Sequence, residues 1–197
     1  MARFSKCPSW WIRNSGLTEF RGGGAAGSSI AAIKCVIAIS TIIDFHSRRG
    51  QVSFSGLEQL TGLSRPMVQR GLARLDELGI VTIDRTGHAN NYLLTILPDD
   101  DKWAKLPVER LKQHLPAIPN RGAVPLTALK IYLLLVSIRP NESESVSISY
   151  DKLREQLGVQ RSQIRTGLDI LYSHSLVRIT RNEEVEGKHN IYTILGL

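Results

Sequence analysis

The hydrophobic and polar positions of this 197-residue chain follow one pattern twice. A shift of 96 residues aligns positions 32–85 with positions 128–181 without a gap, and the apolar positions coincide. The second copy then carries four extra residues before Asn90-x-Tyr92 meets Asn190-x-Tyr192. Two copies of one small domain are therefore predicted. Identical pairs include Lys34/Lys130, Gly62/Gly158, Arg65/Arg161, Gly71/Gly167 and Leu75/Leu171.

Three helices are predicted in the first copy. The first begins at about residue 29, where Ser28 or Ser29 is the expected cap. A short helix over 57–60 ends at Gly62, a residue typical of helix ends. Ser64 caps the third helix, which has Pro66 in its first turn, where proline is tolerated. Its predicted buried stripe, at helical spacing, consists of Val68, Leu72, Leu75 and Leu78.

Alternating and β-branched positions predict short strands between and after these helices. Residues 52–54 alternate, and residues 80–83 and 92–96 predict a hairpin around a polar loop. Asp151 is the expected cap of a short helix in the second copy, which ends at Gly158. The other elements predicted there are a helix over 126–136, a strand over 146–149, a helix over about 160–173 and a hairpin over 177–180 and 191–195.

Two stretches lie outside the repeat. Residues 1–28 mix basic and aromatic side chains without a period and lead into a glycine-rich run, so they predict an N-terminal arm or linker. This arm is expected to cover the helix of the first domain. Residues 98–125 hold five of the eight prolines and predict a connector with a short helix over 108–114. The two predicted domains are residues 29–97 and 126–197.

The predicted order is helix, strand, helix, tight turn, helix and hairpin. Residues 60–81, LTGLSRPMVQRGLARLDELGIV, resemble winged helix-turn-helix DNA-binding proteins, and residues 157–171 resemble them less tightly. The resemblance implies an α+β fold, mainly α, with two tandem winged helix-turn-helix domains related by the repeat. Within this class the pattern is similar to plasmid and phage replication initiators and to winged-helix transcriptional regulators. The resemblance is more specific for the fold than for the biological role.

Charge and cysteine content narrow the expected partners. The net charge is +7 and the pI is about 9.7, which favours a polyanion because basic side chains release counterions from phosphates. Residues 1–98 carry +5 (11 basic, 6 acidic) and residues 99–197 carry +2 (14 basic, 12 acidic). The two cysteines offer no disulfide framework, and the N-terminus has no signal-peptide pattern. A cytoplasmic, nucleoid-associated protein without a membrane partner is expected.

In proteins of the resembled class, the second helix of the pair enters the major groove of DNA. Arginine can bind guanine there and glutamine can bind adenine, while a residue at the helix start can hold a phosphate. A solvated helix face is the alternative. For Asn90 and Asn190, the favoured interpretation is structural, with the neighbouring tyrosine in the core. The contacts expected in the first copy are Ser64, Arg65, Pro66, Gln69, Arg70 and Arg74 on the helix, with Arg85, His88 and Asn90 in the wing between the hairpin strands.

The second copy offers a less basic surface. Asp169 replaces Ala73, and the longer wing carries Glu183, Glu184 and Glu186, which repel phosphates. DNA contact therefore competes with dimerisation or partner docking for this copy. The DNA contacts expected in the second copy are Arg161, Ser162, Arg165, Thr166 and Lys188.

Three classes of function remain after these observations. The first is sequence-specific binding of double-stranded DNA, as an origin-binding replication initiator or, alternatively, as a transcriptional repressor. The second is a protein-interaction module that resembles chromosome segregation proteins. The third, an enzyme, lacks a catalytic motif, and no cofactor or metal is expected since the sequence has no phosphate-binding loop and no metal-ligand spacing. Expected partners are DNA, host replication or transcription proteins and a second copy of the chain.

Overall fold

A computed structural model of the chain describes residues 4–44, 46–86, 90–95, 102–181 and 189–197. The fold is α+β and mainly α, as the sequence predicts. The elements of the first half are β1 (Phe4–Pro8), α1 (Trp10–Arg13), α2 (Ala26–Ile42), β2 (Arg49–Val52), α3 (Phe54–Thr61), α4 (Arg65–Glu77), β3 (Val81–Asp84) and β4 (Asn90–Leu94).

The second half repeats this order of elements. Its predicted connector helix has the bounds that the sequence indicates, Val108–His114. The elements are β5 (Trp103–Pro107), α5 (Val108–His114), α6 (Ala123–Ile138), β6 (Ser145–Ser149), α7 (Tyr150–Leu157), α8 (Arg161–Ser173), β7 (Val177–Arg181) and β8 (His189–Ile194).

Each copy contains one antiparallel three-stranded sheet. The last strand of the hairpin lies in the middle, so the strand orders are β2-β4-β3 and β6-β8-β7. In the first sheet Gly50 and Ile83 both lie opposite Tyr92, and in the second Val146 and Ile179 both lie opposite Tyr192. The tyrosines thus occupy equivalent central positions, and both are fully buried.

Several predicted element boundaries are wrong in detail; for example, the helix predicted over 126–136 begins at Ala123. The α2 helix begins at Ala26, and Ser28 and Ser29 lie inside it, with hydroxyls that donate back to the carbonyls of Ala25 and Arg21. The predicted strand over 52–54 ends at Val52, because Ser53 caps α3 by accepting from the Gly56 amide. In the second copy Ser149 is the cap, and Asp151 lies in the first turn.

The predicted arm and connector are joined in a two-stranded antiparallel ribbon. β1 reads FSKCP and β5 reads WAKLP, and their register places Lys6 opposite Lys105 and Phe4 opposite Pro107. Pro8 lies opposite Trp103. The first residue of each strand thus pairs with the last residue of the other. The ribbon therefore has local two-fold symmetry. Both stretches begin a repeat unit and are not linkers between domains.

Contacts across the ribbon are reciprocal. α1 packs against α6 of the other copy, and α5 packs against α2. The turn Gly16–Glu19 packs on α7, and the turn Leu115–Ala117 packs on α3. As expected, the arm packs on the first domain's helix through β1, but its α1 packs on the second copy, where Arg13 donates to the Ser137 carbonyl. Reciprocal contacts of this kind are those of a symmetric dimer, here within one chain.

The centre of the molecule is formed by α2 and α6, which pack against each other. Every residue from 29 to 41 is buried, so α2 is apolar on all sides and has no solvent-facing stripe. Among the described residues, the helical stretch Gly23–Ile42 is long and apolar enough to cross a membrane by length and composition, but 78% of its most apolar window lies inside the molecule. The fold is compatible with a soluble protein, in which a central core helix has this composition.

Candidate nucleic-acid interface

The start of α4 is exposed on the side opposite its buried stripe. Ser64 is the N-cap residue, although its hydroxyl makes no capping hydrogen bond, and Pro66 lies in the first turn. Val68, Leu72 and Leu75 are buried as predicted, whereas Leu78 is half-buried. The structure therefore brings five predicted contact residues together on one exposed surface, the α4 surface. They are Ser64, Arg65, Pro66, Gln69 and Arg70.

An aromatic ring lies beneath the first arginine of this surface. The Arg65 guanidinium carbon is 5.0 Å from the ring centre of Phe54, the first residue of α3. In the second copy the Arg161 guanidinium carbon is 5.7 Å from the ring centre of Tyr150. A cation over a ring at an exposed site gains about 0.5–1 kcal/mol. Both rings thus limit the positions that these exposed arginines sample.

Arg74 differs from the other arginines of α4. Its guanidinium forms ion pairs with Glu77 at 3.2 Å and Glu19 at 3.7 Å and donates to the backbone oxygen of Glu19. Only 32% of its side chain is exposed. Arg74 therefore joins the turn after α1 to α4 and is separate from the α4 surface. Glu19 lies in the aperiodic first 28 residues, where the sequence gives no signal for this pairing.

The equivalent surface of α8, the α8 surface, is also exposed but has different hydrogen bonds. Gln160 caps the helix, and its backbone N–H donates to the Gln163 side chain at 3.1 Å. The Thr166 hydroxyl donates to carbonyls of its own helix. Asp169 is exposed, as the sequence predicts for the position of Ala73. The four predicted helix residues on this surface are Arg161, Ser162, Arg165 and Thr166.

The described part of the wings supports a structural role for the asparagines. The Asn90 amide donates to the Tyr92 hydroxyl at 3.1 Å, and the Asn190 amide donates to the Tyr192 hydroxyl at 3.4 Å. The full burial of Tyr92 and Tyr192 confirms that the tyrosines pack in the core. The hydrogen bond gives Asn90 a partner within the protein. Arg85 is exposed. His88 and Lys188, like the wing glutamates, lie outside the described residues.

Buried ionisable groups also lie away from these two surfaces. Burial raises the pKa of Cys7 to about 11 and that of Cys35 to about 12, so both thiols stay protonated at neutral pH. The described residues contain no group of three His, Cys, Asp or Glu side chains that could hold a metal ion. Two buried lysines, Lys34 and Lys130, are functional candidates that sequence reasoning missed, although their repetition within apolar helices was a visible signal.

Comparison with known proteins adds no family to these observations. No protein-family model matches the chain, and a search of the curated proteins returned no similar sequence.

Proposed function

We propose that this chain binds double-stranded DNA through the α4 and α8 surfaces, each carried by a winged helix-turn-helix unit. The observation that carries the proposal is the equivalent placement of Arg65 and Arg161, exposed at the helix starts over Phe54 and Tyr150. Guanidinium groups held in this way are suited to bidentate contacts with guanine in the major groove. The net charge of +7 favours the same class of partner.

The reciprocal packing of the copies supports a DNA site with two half-sites in inverted orientation. A two-fold axis that relates two reading helices is the arrangement of dimeric helix-turn-helix proteins, whose half-sites lie about 34 Å apart. The α4 and α8 surfaces carry different side chains, for example Gln69 against Arg165 and Ala73 against Asp169. The two half-sites are therefore expected to differ in sequence.

For the biological role we propose origin binding by a plasmid- or phage-type replication initiator in the cytoplasm. This proposal is supported by the sequence resemblance of residues 60–81 and by the arginines on the α4 surface. Selection of bound sites from random duplexes, compared with the DNA beside the gene, tests the role. Repeated copies of the selected site indicate an origin, whereas one copy over a promoter indicates a repressor.

Substitution of the α4 surface tests the DNA-binding proposal directly. Arg65→Ala combined with Arg70→Ala should weaken binding of the selected duplex more than tenfold, since two charge-assisted contacts are lost. Arg74→Ala is the matched control and should change the affinity less than threefold, because Arg74 pairs with Glu19 and Glu77. Affinity is measured by fluorescence anisotropy at fixed salt, and circular dichroism checks the fold.

Salt dependence separates DNA binding from a protein-interaction role. Log affinity should fall linearly with log salt concentration, with a slope of about −0.9 for each phosphate contacted, and the double variant should have a shallower slope. Unchanged affinity in the double variant, or a flat response to salt, would contradict the proposal and favour the protein-interaction module.

A further inference from the structure

A cleft of about 310 Å³ lies beside Lys130 in the second copy. Its floor is formed by buried residues of α6 and α7. Its rim is formed by residues of the segment 18–22 before α2 and of the turn before α8. The floor includes Leu126, Thr127 and Leu157, and the rim includes Thr18, Arg21 and Gly22. Residues from both copies thus enclose the space.

The equivalent place in the first copy is filled by a side chain. Lys34 is fully buried, and its ammonium donates to the backbone oxygens of Thr61 at 3.0 Å and Ile118 at 2.6 Å. It also donates to the amide oxygen of Asn120 at 2.7 Å. The Asn120 amide nitrogen donates in turn to the Gly62 carbonyl. Asn120 therefore closes this place and completes the shell of acceptors around the cation.

Counted from the turns that pack on Gly62 and Gly158, Gly22 corresponds to Asn120, and it lies beside the cleft. A Cβ added at Gly62 would meet Pro116, and a Cβ added at the equivalent Gly158 would meet Thr18. Counting four residues onward from Pro116 and Thr18 reaches Asn120 and Gly22. Glycine has no side chain with which to fill the space.

Lys130 lacks the acceptors that surround Lys34 in the first copy. The residue is 5% exposed, its ammonium opens onto the cleft, and it makes no hydrogen bond with any residue that the structure describes. A buried ammonium is costly unless it is paired or hydrogen-bonded. The open cleft with this cation in its floor and Arg21 at its rim therefore has the charge and the space to hold an acceptor that the protein itself does not supply.

We propose that this cleft binds a small organic anion, whose carboxylate or phosphate group accepts hydrogen bonds from Lys130 and Arg21. Leu126 and Leu157 provide an apolar surface for the remainder of such a molecule. A volume of about 310 Å³ lies at the lower end of the range of small-molecule pockets. Val159 and Gln163 also line the cleft, so the bound anion contacts the start of α8. The site does not depend on the proposed DNA binding.

Titration of the full-length protein with simple anions tests this site. Sodium phosphate and sodium butyrate are added separately at pH 6.5, with sodium chloride holding the ionic strength constant, and amide NMR signals of Gly22, Gly158 and Val159 are followed. We expect saturable shifts in the millimolar range for at least one probe. The probe that binds more tightly identifies the headgroup, phosphate or carboxylate.

Variants of the cleft provide the controls. Lys130→Met should weaken binding at least tenfold. Gly22→Asn should do the same by supplying the amide that Asn120 supplies in the first copy. The backbone at Gly22 accepts a side chain, since its φ is −82° and an added Cβ meets nothing within 4 Å. Gly22→Ala is the matched control and should retain binding. Linear shifts without saturation in the wild type, or binding unaltered by both Lys130→Met and Gly22→Asn, would overturn the proposal.

Discussion

In the first copy Lys34 is buried beneath three oxygen acceptors, whereas in the second copy the equivalent Lys130 is buried beside an open cleft. The packing positions of the two copies agree much more closely, since Tyr92 and Tyr192 are both fully buried. A close-packed interior requires a given volume at a given place. A buried polar group requires only a partner, which another segment or a ligand can supply. The copies therefore match in shape and differ in chemistry.

The paired glycines of α4 and α8 give the largest expected effect. A Cβ on Gly71 would lie 2.6 Å from the backbone carbon of Ala31, while on Gly167 it would lie 3.1 Å from the nitrogen of Ala128. Both glycines therefore allow close packing, of α4 on α2 and of α8 on α6. Gly71→Ala should lower the free energy of unfolding by about 2–4 kcal/mol and Gly167→Ala by about 1–2 kcal/mol. Urea unfolding measures both, and equal losses would contradict the difference in packing.

Substitution of the two lysines should change the free energy of unfolding in opposite directions. Burial lowers the pKa of each to about 8, so the cost of desolvation is similar on both sides and the acceptors make the difference. Lys34→Met leaves three oxygens without their donor and should cost about 1–3 kcal/mol. Lys130→Met removes a buried cation without a partner and should stabilise by about 1–3 kcal/mol. Two losses of equal size would show that Lys130 has an unrecognised partner.

The gain in folding stability from Lys130→Met should depend on pH. In the unfolded chain this lysine has a pKa near 10.5, and in the folded protein its pKa is about 8. Between these values the unfolded state binds more protons, so the lysine's unfavourable contribution decreases as pH rises. The advantage of the variant over the wild type should therefore be full below pH 8 and decline towards pH 10.5. Urea midpoints at pH 7, 9 and 10 measure this, and a constant advantage would contradict it.

The ends of several helices could be predicted from the sequence because they depend on residues that are close together in the chain. The α3 helix ends at Gly62 with φ of 67°, and α7 ends at Gly158 with φ of 62°, both as predicted. The strands β1 and β5 were missed, since each has five residues and pairs with a strand almost a hundred residues away. The arginines of the α4 surface follow from helical periodicity. The surroundings of Lys34 and Lys130 do not, because each lysine lies against a segment of the other copy. The pairing of Arg74 with Glu19 does not either, because it joins residues that are 55 positions apart.

Exchange of one charge between the helices is expected to change DNA affinity moderately. Ala73 and Asp169 occupy equivalent exposed positions. Ala73→Asp should weaken binding about fivefold and Asp169→Ala should strengthen it about twofold, since a carboxylate near phosphates is repelled and salt screens that repulsion. Both changes in DNA affinity should be smaller at high salt concentration. If Asp169→Ala has no effect while Ala73→Asp does, only the first copy contacts DNA.

The hydrogen bonds at the base of the wings give the smallest expected effect. The bond from Asn90 to the Tyr92 hydroxyl is 3.1 Å long and that from Asn190 to the Tyr192 hydroxyl is 3.4 Å long. Asn90→Ala should lower the free energy of unfolding by about 1 kcal/mol and Asn190→Ala by about 0.5 kcal/mol, since a net hydrogen bond contributes about 0.5–1.5 kcal/mol. Tyr92→Phe combined with Asn90→Ala should lose no more than the larger single change. DNA affinity should stay within twofold in Asn90→Ala, and a loss greater than tenfold would make Asn90 a DNA contact after all.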